Sequence, residues 1–426
     1  MKLLAVGDLH LGRRPSRLPD DLQERARALG PAGAWKRVVD AALAHKVDVL
    51  VLAGDVTEND RDFFEAYREL RQGVSELAAA GIRILGVAGN HDVFMLPRLV
   101  AEIPEFQLLG AGGDWEAVDL TISGEALTLW GWSFPEPKVS QSPLTGAPFQ
   151  RRGEHLNLGV LHCDRDQTNS SYAPVSSRDL AAAGLDGWLL GHIHKPDLVT
   201  TNAPSGYLGC VTGMDPGEPG ACGPWLVVIE QGRIQETVQW ALAPLRWERL
   251  EVDLTGIAKV EEAYERLLDK VRELDATLSA LPWPPEAVGL RITLTGRSRF
   301  GHEALSRIEQ EGLEHIHSGD KGAQYFIEHL TALTLPEIAL NELARQNDPA
   351  GLLARRLLLL DSPEDTPERQ ALIEEVREIL EQENRDARWG GLQPVPPDAE
   401  AAADWARRAG TRLLDQMLAQ LREEQS

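Results

Sequence analysis

The sequence predicts a layered α/β domain, followed by a small α+β domain and a helical C-terminal region. From the start to about residue 230, short apolar runs alternate with amphipathic segments, the pattern of strands buried on both faces by crossover helices. A strand–helix–strand–helix stretch begins near Arg246. From about residue 335 the chain is rich in leucine, alanine and glutamate and is broken by prolines. A chain of 426 residues is also too long for one ordinary core. The expected boundaries are 1–243, 244–335 and 336–426.

The strands expected in the first domain are Lys2 to Gly7, Val47 to Ala53, Ile82 to Ala88, Leu156 to Leu161 and Gly187 to Leu190, each a short apolar run. Between them Trp35, Val38, Val39, Ala42 and Leu43 recur at helical spacing, as do Phe63, Phe64, Tyr67, Leu70, Val74 and Leu77. Ala117 to Ile122 and Ala126 to Trp132 flank Ser123, Gly124 and Glu125 and read as a hairpin, which makes the sheet mixed. Trp225 to Glu230 and Thr237 to Leu242 read as a closing pair of strands about the turn Gln231, Gly232, Arg233. The second domain is expected to hold a strand at Glu248 to Leu254, a helix at about 258–281, a strand at Leu290 to Thr295 and a helix after Gly301. In the third region Leu372, Ile373, Val376, Ile379 and Leu380 form one helical stripe. Trp405, Leu413, Leu414, Met417, Leu418 and Leu421 form another, beyond a linker at Pro394, Pro396 and Pro397.

Composition excludes several classes. No stretch approaches the roughly 20 apolar residues that span a bilayer, so no membrane partner is expected. Asp8, His10 and Arg13 interrupt the apolar N-terminus before a signal-peptide core could finish. The three cysteines, Cys163, Cys210 and Cys222, lack the spacing of a disulfide framework or a zinc knuckle, and a cytoplasmic location fits them. The formal charge of -23 opposes a broad DNA-binding patch on the chain itself. Bound divalent cations or a partner subunit holding the duplex would soften that objection.

The chemistry lies at the strand ends. Each of the five expected strands runs into residues of metal-ligand type: Asp8 and His10, then Asp55, Asn90 with His91 and Asp92, His162, and His192 with His194. Ligands of α/β sheets gather at the carboxyl ends of strands, so these side chains should converge in one crevice. Asp8, His10, Asp55 and His194 can form one site, and Asn90, His162 and His192 a second that shares the Asp55 carboxylate. Such sharing draws two divalent cations to about 3.5–4 Å. Oxygen and imidazole ligands without thiolate suit Mn2+, iron or zinc. Gly54, Gly89 and Gly191 are expected to let the chain turn sharply beside the metals.

These residues resemble the calcineurin-like metallophosphoesterase superfamily, whose five motifs appear in order as Asp8-Leu-His10, Gly54-Asp55, Gly89-Asn90-His91-Asp92, His162 and Gly191-His192-Ile193-His194. The resemblance implies a layered metallophosphoesterase sandwich holding two divalent ions, Mn2+ foremost. It also implies that Asn90 both ligates and orients phosphate, and that His91 protonates the leaving oxygen or stabilises the transition state. Asp92 would orient the His91 imidazole. The Asp8-Leu-His10-Leu11-Gly12 opening, Gly191-His192-Ile193-His194-Lys195-Pro196 and Tyr207-Leu-Gly209 further resemble bacterial SbcD-type DNA repair exonucleases. In that family a small capping domain contributes to DNA binding, and C-terminal helices dock on an SMC-like ATPase. Val56-Thr57-Glu58 after Asp55, and Cys163 after His162, depart from the pattern.

The resulting expectation is a Mn2+-dependent DNA exonuclease, the catalytic subunit beside an SMC-like ATPase in repair or recombination. The rivals are a phosphodiesterase on a small nucleotide or a phosphoprotein, and a scaffold for the ATPase with a weak site. Arg13, Arg14 and Lys195 flank two of the motifs as candidate phosphate contacts, with Arg17, Arg151 and Arg152 nearby in sequence. His45, His155, His302, His315, His317 and His329 are expected to be structural or surface histidines. Phe94, Met95, Leu96, Leu99 and Val100 are candidates for a homodimer surface or for ordinary helix packing.

Overall fold

A computed structural model describes residues 1–58, 63–150, 155–198, 203–312, 322–335, 337–363, 366–384 and 397–423. Arg151, Arg152, His315, His317, Pro394 and Pro396 lie outside the described residues. The chain divides into two compact units, Met1–Leu335 and Pro336–Ser426.

The first unit runs β1 (Lys2–Val6), α1 (Ala26–Leu29), α2 (Pro31–Ala44), β2 (Val49–Ala53), α3 (Phe63–Ala79), β3 (Arg83–Val87), α4 (Met95–Ala101) and β4 (Phe106–Leu108). It continues through β5 (Glu116–Ile122), β6 (Glu125–Trp132), β7 (Leu156–His162), α5 (Ser177–Ala182), β8 (Gly187–Gly191), β9 (Ser205–Tyr207), β10 (Trp225–Glu230) and β11 (Arg233–Gln239). These strands form two sheets. One has six strands in the order β11-β10-β1-β2-β3-β4, and the other five in the order β5-β6-β7-β8-β9. Both are mixed: β10 is antiparallel to β1 and β11, and β5 to β6, while the other pairings are parallel.

The period-2 geometry of a strand explains the layers. Leu4 and Val6 of β1, with Leu50 and Leu52 of β2, face the helices and pack with Trp35, Val38, Leu70, Val74 and Leu99. Leu3, Ala5, Val49 and Val51 face the other way and meet Leu127, Leu129, Leu158, Val160 and Leu189 of the second sheet. The continuous apolar runs are therefore buried by helices on one side and by a second sheet on the other. This corrects the expectation of helices on both faces, because an apolar run is satisfied by either cover. Phe64, expected on the buried stripe of α3, is 83% exposed. Met95, Leu96 and Leu99 of α4 are buried in the chain's own core, whereas Phe94 is exposed.

The Ser123-Gly124 turn carries two positive φ angles, as a tight hairpin requires. Its strands pair from Ile122↔Glu125 to Glu116↔Gly131. The second hairpin turns on Gln231 and Gly232 alone, so β11 begins at Arg233, earlier than the pattern of Thr237 to Leu242 indicates.

Three parallel strands, β12 (Leu245–Asp253), β13 (Ala287–Thr295) and β14 (Gln324–Ala332), form the third sheet. Helices α6 (Glu261–Ser279) and α7 (Gly301–Glu311) cover one face, with Leu267, Val271 and Ile308 against Leu290 and Ile292. The other face presents Trp247 and Phe326 to Leu22 and Leu29 near the start of the chain. Cys210 and Cys222 are free buried thiols whose Sγ atoms lie 3.2 Å apart.

The second unit is helical, with α8 (Leu340–Leu343), α9 (Pro349–Asp361), α10 (Pro367–Asn384) and α11 (Ala399–Glu423). Asp348 caps α9 by accepting the Gly351 N–H at 2.7 Å. Leu360, Ile373, Ala402 and Ala403 form one small core, and Ala350, Leu357 and Leu414 another. Ile379, Trp405 and Leu413 stay about half exposed. Among the described residues no helix is long and apolar enough to cross a membrane.

Candidate metal centre

Strand ends from both sheets meet at one place. β1 delivers Asp8 and His10, β2 Asp55 and β3 Asn90, while β7 ends on His162 and β8 leads into His192 and His194. Asp8, His10, Asp55 and His162 are almost wholly buried. Three of these residues sit at positive φ: His10 at 50°, Asp55 at 47° and His192 at 104°. A side chain rarely adopts that conformation, and such strain persists where the surrounding structure fixes it for function. Gly54, at φ 89°, does let the chain turn sharply. Gly89 and Gly191 serve a different purpose, because a Cβ there would lie 2.1 Å from Asp55 Oδ1 and 2.1 Å from the Ala53 carbonyl oxygen. They are glycines for close approach.

The arrangement is a set of acceptors aimed at one another. Asp55 Oδ2 lies 3.9 Å from His10 Nε2 and 3.3 Å from His162 Nε2, between the two groups of ligands. On one side, His10 Nε2 and His194 Nε2 face each other at 3.1 Å, and Asp8 Oδ2 is buried without a partner. On the other side, His162 Nε2 faces Asn90 Oδ1 at 3.0 Å. The sets Asp8, His10, His194 and Asp55, His162, His192 each present ligand atoms within 4.8 Å of one another. Buried acceptors without donors are costly, and cations resolve the cost. The residues therefore fit divalent metal ions.

Each of the four histidines has its other ring nitrogen facing an acceptor outside the ligand set. His162 Nδ1 donates to the Ala53 carbonyl oxygen at 3.1 Å. His10 Nδ1 lies 2.6 Å from Glu58 Oε2, His194 Nδ1 donates to Glu218 Oε1 at 2.5 Å, and His192 Nε2 lies 3.3 Å from Asp164 Oδ1. Outer acceptors of this kind fix the tautomer and leave the inner nitrogen as a lone pair. Glu58, Asp164 and Glu218 are not distinguished by the sequence motifs. Glu58 follows Asp55 by three positions, where it reads only as a departure from the family pattern. Its carboxyl is held below the ordinary range by the hydrogen bond with His10, against the effect of burial.

In the metal-free protein burial opposes a charge on His162, yet Asp55, through its charge and its hydrogen bond, and then Asp8 raise the imidazole to about 9 from an ordinary 6.5, so a bound cation would take the place of a proton on Nε2. A folded-state pKa above the unfolded value gives stability that is complete below pH 6.5 and is lost as pH rises through about 9. Chelator-treated protein should accordingly unfold at lower temperature at pH 9 than at pH 6.5. A midpoint that climbs across that window contradicts the assignment.

Two expectations need correction. Asp92 does not orient the His91 imidazole. Its fully buried carboxylate accepts the Gly89 N–H and the Val56 N–H, each at 2.7 Å, and the Thr57 N–H at 3.4 Å, so it ties the β2 and β3 loops together. Burial and the charge of Asp55 push it up to about 7, against the bonds from Gly89 and Val56. The carboxylate nearest the His91 ring is that of Glu58, whose Oε1 lies 3.7 Å from His91 Nδ1. Arg14 is likewise engaged, in a two-pronged pair with Glu65 at 3.0 and 3.1 Å. Arg13 lies beside the cluster, where its charge adds to the lowering of Glu58 and Glu218, and Lys195 is exposed after His194. His91 is 43% exposed at its side chain, at the open side of the cluster, and its backbone N–H donates to Asp55 Oδ1 at 2.9 Å.

Residues 1–196 match the sequence model of the family described as calcineurin-like phosphoesterase, and residues 247–334 match that of the middle domain of metallophosphoesterase YhaO. The chain is 26% identical over 309 residues to an uncharacterized metallophosphoesterase YhaO from Bacillus subtilis, covering 70% of this chain and 72% of that protein. It is 25% identical over 209 residues to the DNA double-strand break repair protein Mre11 of Methanopyrus kandleri, 46% of this chain and 45% of that one, so under half of that relative is spanned. Among solved structures it is similar to a dimetal phosphatase from Danio rerio, with 13% identity, a TM-score of 0.36, and 56% of this chain and 96% of that one covered.

Proposed function

Because the chain belongs to the calcineurin-like phosphoesterase family, whose fold implies divalent metal ions, we propose that it is a Mn2+-dependent phosphodiesterase acting on DNA ends. It is an exonuclease of repair or recombination and the catalytic subunit beside an SMC-like ATPase. The carrying observation is the Asp55 carboxylate, whose Oδ2 stands between His10 and His162 with a ligand group on either side. Two cations held there would supply the charge that clamps the attacking and leaving oxygens of a phosphoryl group. Asn90 offers an amide at the edge of that clamp, able to ligate and to hold a phosphate oxygen. His91, partly exposed and with Glu58 Oε1 3.7 Å from its Nδ1, would give a proton to the departing oxygen. Asp8, His10, His162, His192 and His194 are the remaining ligands, with Arg13 and Lys195 as phosphate contacts.

DNA as substrate draws support from the Mre11 relative, whose name is that of a DNA double-strand break repair protein. The order of the parts and the exposed Trp405 and Leu413 of the helical unit support docking on an ATPase. A net charge of -23 also fits a nuclease that relies on a partner to hold the duplex. The same charge favours one rival, hydrolysis of a small phosphodiester. Full-length protein with Mn2+, given end-labelled linear DNA and in parallel a cyclic nucleotide and a phosphopeptide, separates the readings. Nucleotides released from DNA ends are the expected product. DNA left intact even with the ATPase present, alongside cleavage of the small diester, removes DNA from the proposal.

A further inference from the structure

We propose that Glu218 is a positioning residue of the metal centre, and that the third sheet holds it in place through Trp247. The inference rests on the metal reading above and extends it to a residue outside every motif. Glu218 lies in the loop between β9 and β10. Both of its oxygens meet donors: Oε1 accepts from His194 Nδ1 at 2.5 Å and Oε2 accepts the Met214 N–H at 2.7 Å. The first bond leaves His194 Nε2 as the lone pair that faces His10 Nε2 and the Asp8 side of the cluster.

Only a carboxylate satisfies both partners. A glutamine has one acceptor oxygen, so its amide nitrogen would face either Met214 N–H or His194 Nδ1. In the first case the loop loses a bond. In the second the ring is driven to the other tautomer, with the proton on Nε2, where it blocks a cation.

The loop is fixed from the neighbouring sheet. Trp247 of β12, fully buried and packed edge-on against Phe326, donates its indole N–H to the Gly213 carbonyl oxygen at 3.0 Å. Its own carbonyl oxygen accepts the Gly220 N–H at 2.8 Å. One residue of the third sheet thus grips the loop on both sides of Glu218. The third sheet thereby helps to build the centre as well as flank it.

The test is calorimetric titration of metal-stripped, full-length protein with Mn2+ alone. Wild type takes up two equivalents. In Glu218→Gln one of the two weakens about 10- to 100-fold, the range for loss of an outer partner of a ligating histidine, and the other is unchanged. Trp247→Phe keeps the aromatic contact but removes the indole N–H, and it weakens the same equivalent by a smaller factor. It also carries the test should Glu218→Gln not fold. Two unchanged equivalents in both variants, or two that weaken together, overturn the proposal and leave the metal reading standing. A wild type that binds no Mn2+ overturns the metal reading itself.

Discussion

Asp55→Asn is expected to abolish turnover and to leave at most one weakly held Mn2+ equivalent. Asp55 Oδ2 is the one ligand atom placed between the two groups, 3.9 Å from His10 Nε2 and 3.3 Å from His162 Nε2. An asparagine retains the shape and can still accept the His91 N–H now taken by Oδ1 at 2.9 Å, so the loop keeps its bond while the bridging charge goes. Burial resists a charge on Asp55, but His162, then His10 and His91, hold its carboxyl well below the usual range. The wild-type side chain is therefore an anion at any working pH. Cation stabilisation of the transition state is worth several kcal/mol, and about 1.4 kcal/mol is a factor of ten. The loss should reach about 10⁴-fold or more. Hydrolysis of bis(p-nitrophenyl) phosphate together with Mn2+ uptake checks both halves, and wild-type turnover by Asp55→Asn would remove the bridge from the mechanism.

His91→Ala separates chemistry from metal binding. His91 is absent from the Asp8, His10, His194 and the Asp55, His162, His192 sets, although with His10 and Glu58 it makes a third group whose ligand atoms lie within 4.8 Å of one another; its side chain is 43% exposed, and truncation leaves its backbone bond to Asp55 in place. Both Mn2+ equivalents should remain while turnover of DNA falls about 10²- to 10⁴-fold, the usual worth of general acid catalysis. The loss should shrink sharply on a substrate with a nitrophenolate leaving group, which departs without a proton. Glu58→Gln should lower turnover of DNA less than His91→Ala does and should also weaken one Mn2+ equivalent, because Glu58 Oε2 is the outer acceptor of His10 Nδ1 at 2.6 Å; the proton-donor role is judged on His91→Ala alone. An equal loss on both substrates, or a loss of metal, would falsify the proton-donor role.

The ligand constellation is legible in the sequence because a strand end is a local feature. An apolar run followed by Asp, Asn or His places the side chain at a sheet's carboxyl edge whatever lies elsewhere. The second sheet is less legible: the run Leu156 to Leu161 reads the same whether a helix or another sheet covers it, since both are apolar. β4 and β9 leave no pattern because they are three residues each, too short for periodicity to register, and β14, although it follows the turn-favouring run Ser318-Gly319-Asp320-Lys321-Gly322, mixes apolar and polar residues without strict alternation. Glu58, Asp164 and Glu218 are invisible as functional residues for a related reason. Each reaches its histidine from a loop, and in an acidic chain one more loop carboxylate has no sequence signature. Asp92 shows the converse. Its place in the Asn90-His91-Asp92 motif suggests a partner for the adjacent ring, whereas three backbone N–H groups take its oxygens, two of them from the loop after β2.

The most direct measurement is anomalous scattering at the manganese edge from crystals of the full-length protein grown with Mn2+. Two peaks should appear about 3.5–4 Å apart. One should lie among Asp8, His10 and His194, the other among Asn90, His162 and His192, with Asp55 contacting both. No peak in this cluster, or a single peak that Asp55 does not touch, contradicts a two-cation centre.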